Sequence, residues 1–98
     1  DVQSALTMLL AMDASDRLHP EVMKTIAECY GMLQKPGDAA AMYADAAKNK
    51  PDDAEIAYQA ALWFRRAGNE AESTRFGKVA HDLALKQGKQ LTEETTDR

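Results

Sequence analysis

The sequence predicts an all-α fold, a stack of antiparallel helix pairs, and three observations carry that reading. Proline and glycine cut the chain into runs of helical length, and every run spaces its apolar residues three and four apart. The chain also matches itself when shifted by 34 residues. No run shows the strict alternation or the β-branched density of a strand.

Breaks fall at Asp13 to Pro20, at Lys35-Pro36-Gly37, at Asn49 to Asp53 and at Gly68-Asn69, leaving about five helices. The first, Val2 to Met12, puts Ala5, Leu6, Leu9 and Met12 on one face, with Met8 widening the stripe. The second starts at Pro20, which suits an early helix position because it has no N–H to leave unpaired. Its apolar set is Val22, Met23, Ile26, Ala27, Tyr30 and Leu33, with Cys29 on the flank as a small buried hydrophobe. The third follows Gly37, takes Asp38 as its N-cap, and carries Ala39, Met42, Tyr43, Ala46 and Ala47. It must stop near Lys50, because a residue before proline is pushed out of helical angles.

The fourth helix follows Asp52-Asp53, acids suited to a helix N-terminus, and carries Ile56, Ala57, Ala60, Ala61, Trp63 and Phe64 up to the terminating Gly68. The fifth, from about Glu70, presents Phe76, Val79, Ala80 and Leu83, and Gly88 offers an end point. Residues 92–98 are expected to be a frayed polar tail.

At the 34-residue offset Glu21 falls on Glu55, Val22 on Ile56, Ala27 on Ala61, Tyr30 on Phe64, Asp38 on Glu72 and Ala46 on Ala80. Extended backwards, the same offset lays Ala5, Met8 and Leu9 under Ala39, Met42 and Tyr43. The chain therefore divides as a half repeat and loop at 1–19, a repeat at 20–53 and a repeat at 54–87 with an extended capping helix, one domain over 1–91.

A two-helix unit of this period resembles the tetratricopeptide repeat. The first full unit meets the pattern with Met23, Ile26, Ala27, Tyr30, Ala39, Tyr43 and Pro51. The second meets it with Ala57, Ala60, Ala61 and Phe64, then departs at Ser73, Gly77 and Leu85, which stand where alanine, an aromatic and proline are usual. Gly77 has two readings: Phe76 takes over the packing role, or the glycine admits a close-packed helix from a partner.

The resemblance implies a right-handed superhelical solenoid whose first helices line a concave groove for a bound segment. Carried over by position, the groove takes Glu21, Lys24, Glu28 and Met32 from one unit and Glu55, Tyr58, Leu62, Arg65 and Arg66 from the next. Tyr58 and Leu62 are apolar where solvent is expected, and Arg65-Arg66 would favour an acidic group on the partner. The chaperone-tail clamp of some members is not expected, since Glu28 stands where asparagine is needed.

The remaining features narrow the function class. Sixteen acidic against 12 basic residues, a net charge of −4, argue against nucleic acid as partner. No apolar run approaches the length of a membrane span, and no signal peptide is read. The opening on Asp1 is expected of an excised fragment, and the lone Cys29 is compatible with a reducing, cytoplasmic compartment. His19 is expected in an interhelix loop and His81 on a surface turn; with no CxxC, HExxH or EF-hand pattern, neither catalysis nor a metal or cofactor is expected.

The reading is thus a protein-binding scaffold module. Its alternative is homodimerisation through Leu6, Leu9 and Leu10 of the first helix, because two and a half units fall short of the three such stacks ordinarily need.

Overall fold

The computed structural model describes the backbone of residues 1–96 and the side chains of residues 1–88. The described backbone is all helical: α1 (Val2–Leu10), α2 (Ala14–Arg17), α3 (Pro20–Met32), α4 (Pro36–Asn49), α5 (Ala54–Arg66) and α6 (Glu70–Thr96). The expected frayed tail concerns residues whose side chains, and for 97–98 whose backbone, lie outside that description. One helix more is present than the periodicity implies: α2 is a single turn closed within the Asp13–Pro20 connection.

Helix ends follow local chemistry, and two of them correct the sequence reading. Asp38 does not cap α4. The helix begins two residues earlier at Pro36, whose fixed φ suits the first helical position, and Asp38 becomes an acid of the first turn. Gly88 does not end α6, which passes through it to Thr96. Three N-caps act as their residue types suggest, whereas Asp13 makes no side-chain bond at the start of α2. Asp1 Oδ1 accepts from Ser4 N at 2.8 Å, Asp53 Oδ1 from Ile56 N at 3.1 Å, and Asn69 Oδ1 from Glu72 N at 3.2 Å.

The C-termini of α3 and α5 share one motif, 34 residues apart. After α5, Gly68 adopts φ +84°, its N–H bonds Arg65 O, and Asn69 N–H bonds Phe64 O at 2.8 Å. After α3, Gln34 takes the same left-handed position at φ +59°, its N–H bonds Gly31 O, and Lys35 N–H bonds Tyr30 O at 2.9 Å. The repeat is therefore written into the turns as well as the stripes, but the first turn uses a residue with a Cβ in a conformation that favours glycine.

Packing proceeds pair by pair. Leu6 of α1 is buried against Ile26 and Cys29 of α3, with Val2, Leu9, Tyr30 and Leu33 around them. Met23, Ala46 and Ile56 join α3, α4 and α5, and a third cluster runs from Ala27 and Tyr43 through Ala57, Ala60 and Ala61 to Phe76 and Ala80 of α6. Met42 packs against all three clusters. Phe76 is buried and stacks on Phe64 with centroids 5.6 Å apart, so it does fill packing space beside Gly77. Val79, placed on the core stripe by spacing, is exposed, as is Met8 at 73%.

Two side-chain bonds interlock successive units. Asn49 Nδ2 donates to Leu18 O at 2.9 Å, tying α4 to the connection before α3. One repeat later Gln87 Nε2 donates to Asp52 O at 2.9 Å, from one helical turn further along α6.

Gln34→Gly is expected to raise the unfolding free energy by about 0.5–1 kcal/mol. It relieves a left-handed penalty of roughly 1–2 kcal/mol, offset in part by the greater chain entropy of unfolded glycine. Chemical denaturation with an unchanged m-value checks this.

Candidate protein-binding face

The expected groove residues line two adjoining grooves. Because α3 and α5 are the first helices of successive pairs, the residues off their buried stripes face outward side by side. Lys24, Glu28 and Met32 line a groove of about 480 Å³ with Glu55, Gln59 and Trp63 of α5, floored by Gly31 and Tyr43. Tyr58, Leu62 and Arg65 line a different groove of about 590 Å³ between α5 and α6, facing Gly77, His81 and Ala84. Glu55 borders both. Arg66 enters neither lining, because its guanidinium lies 4.6 Å from the centroid of the Trp63 ring.

The first groove depends on Gly31. A Cβ built there would lie 2.6 Å from Trp63 Cη2, so only glycine lets the indole lie against α3. Periodicity placed Trp63 with the core, and it is in fact half-buried at the groove. Beside it Met32 is 68% exposed, a large apolar side chain that nothing in the described chain covers. The charges here are mostly acidic. Lys24 leans to Glu21 at 3.8 Å, while Glu28 and Glu55 face Tyr43. Burial, and then repulsion from those two carboxylates, raises the Tyr43 phenol above its ordinary pKa of 10.0. The expected preference for an acidic partner, drawn from Arg65-Arg66, therefore does not apply to this groove.

The second groove sets Tyr58 and Leu62 beside Arg65. Tyr58 is 55% exposed, and Arg65 makes no ion pair among the described residues. His81, expected on a surface turn, is exposed on α6 and lines this groove.

The three leucines of the self-association set differ in exposure. Leu6 is 3% exposed and Leu9 half-buried, because α3 of the same chain covers them; Leu10 alone of the three is exposed. Among the described residues no helix is long and apolar enough to cross a membrane, and no cluster of three potential metal ligands occurs.

With this geometry in view, the chain is similar to solved structures of MamA. It superposes on MamA MSR-1 with a TM-score of 0.76 at 15% identity, over 88% of this chain and 49% of that one. For MamA AMB-1 the TM-score is 0.74 at 16% identity, over 84% and 48% of the two chains. A further crystal structure of MamA gives 0.78 at 18% identity, over 90% and 52%. The fold is thus an all-α, tetratricopeptide-like helical repeat, and the chain spans about half the length of these neighbours. No family model and no curated protein matches the sequence.

Two outcomes test the first groove. Gly31→Ala should push the sole tryptophan outward, red-shifting its emission and costing about 1–2 kcal/mol of stability. Unchanged emission would mean that Trp63 does not lie on Gly31. For Tyr43, the folded chain holds the phenolic proton more tightly than the unfolded chain does. The linked stability is full below about pH 10 and is lost as pH rises through the folded value. Alkaline denaturation should therefore be steeper above pH 10 in the native protein than in Tyr43→Phe.

Proposed function

We propose that the chain is a protein-binding scaffold module that acts by holding a partner segment and not by catalysis. The segment lies in the groove between α3 and α5, an apolar side chain against Met32 and Trp63 and a basic one against Glu28 and Glu55. The observation that carries this reading is Met32, exposed at 68% beside a half-buried tryptophan that a glycine admits to the same groove. An uncovered apolar patch rimmed by charge is the usual mark of a contact surface. Support also comes from the helical-repeat fold shared with MamA, since such stacks present extended faces to partners.

A peptide-display selection on the whole chain tests the proposal. Enriched sequences should combine an apolar with a basic residue, and their affinity should fall about tenfold in Met32→Ala and again in Glu28→Lys. Enriched peptides indifferent to both substitutions would place the binding surface elsewhere.

A further inference from the structure

The groove between α5 and α6 repeats, one unit on, the surface of α3 and α4 that receives α5. In the first unit Ala27 and Tyr43 pack in one cluster with Ala57 and Ala60 of α5, and Ala46 packs in another with Ile56. The 34-residue register carries Ala27, Tyr43 and Ala46 onto Ala61, Gly77 and Ala80, and these three line the open groove. What seats a helix inside the chain therefore recurs at its α5–α6 end with nothing of the described chain upon it.

Three differences between the seats specify the occupant. Gly77 replaces Tyr43, and a Cβ built at Gly77 would meet only Ala61 Cβ, at 3.9 Å. Where α5 needs alanines to pass Tyr43, an occupant here has room for a large side chain. Tyr58 and Leu62 replace Lys24 and Glu28, so the rim is apolar where the first is charged. Arg65 replaces Gly31, the residue on which Trp63 rests, so the corresponding position of an occupant meets an unpaired guanidinium.

We propose that the α5–α6 groove seats an amphipathic helix from a partner protein, with a bulky apolar side chain over Gly77 and a carboxylate against Arg65. Continuity with the α3–α4 seat of α5 argues for a helix, and the free charge of Arg65 argues for the acid. This shares with the preceding reading only that the ligand is protein; its residues belong to the other groove.

The α5 sequence itself supplies the probe, because α5 is the helix that fills the equivalent seat. Two stapled peptides of residues 53–67 are compared on the whole chain by calorimetry, one unaltered and one carrying Ala60→Phe and Trp63→Glu. The altered peptide should bind one to one and about tenfold more tightly than the unaltered one. Gly77→Tyr fills the groove while replacing a mid-helix glycine, so it should fold normally and weaken the altered peptide about tenfold. Arg65→Glu should weaken the altered peptide and spare the unaltered one, and Met32→Ala should change neither. Equal binding of the two peptides, or binding indifferent to both Gly77→Tyr and Arg65→Glu, overturns the proposal. So does native protein that dimerises in sedimentation while Gly77→Tyr stays monomeric, since the occupant would then be a second copy of this chain.

Discussion

Six alanines, Ala27, Ala39, Ala40, Ala46, Ala57 and Ala60, are almost wholly excluded from solvent among α3, α4 and α5. They set the distance at which the helices lie, since side chains this small let backbones approach closely. At that distance few apolar atoms are needed per helix. The larger side chains, Tyr43, Met42, Ile26 and Ile56, fill the remaining wedges to interior density. Both grooves are consequences of this spacing. With the first helices of successive units close together, their outward residues form continuous walls, and one glycine more or less at the contact decides what can enter.

The two grooves differ because the same register carries different residues at corresponding places. Gly31 admits an indole where Arg65 presents a charge, and Tyr43 fills a space that Gly77 leaves open. A repeated backbone therefore offers two chemically distinct surfaces. Acids and an exposed methionine line one; Tyr58 and Leu62 line the other, with Arg65, which is unpaired among the described residues, and the shared Glu55. Specificity in such a stack comes from where the repeat is broken, not from where it is kept.

Much of this was legible in the sequence, and the reasons are particular. Helices α3 to α6 announce themselves through three-and-four spacing bounded by Pro20, Pro51 and Gly68, and the burial of Cys29 and Phe76 follows from their stripes. Spacing alone could not find α2, because one turn has no period. Nor could it separate Met8 from the core, since α1 packs chiefly on α3 and buries a narrower face than the stripe allows. Aspartate is a good cap, so the sequence points to Asp38, but proline at the first position starts α4 sooner. The sequence marks the groove residues as outward-facing one by one, without showing which groove each lines. Periodicity says which side a residue faces, but not that Met32 and Tyr58 lie on opposite sides of α5, or that Trp63 reaches across to Gly31. The Gly31–Trp63 complementarity is a contact between units and leaves no mark in either unit alone.

Native-state hydrogen exchange tests the alanine-spaced seat most directly. If the seat binds α3, α4 and α5 into one cooperative unit, their central amides should exchange through a single opening with a common free energy, and α1, held mainly by Leu6, should open more readily. An α5 whose amides exchange through a cheaper opening that leaves α3 and α4 protected would contradict the account.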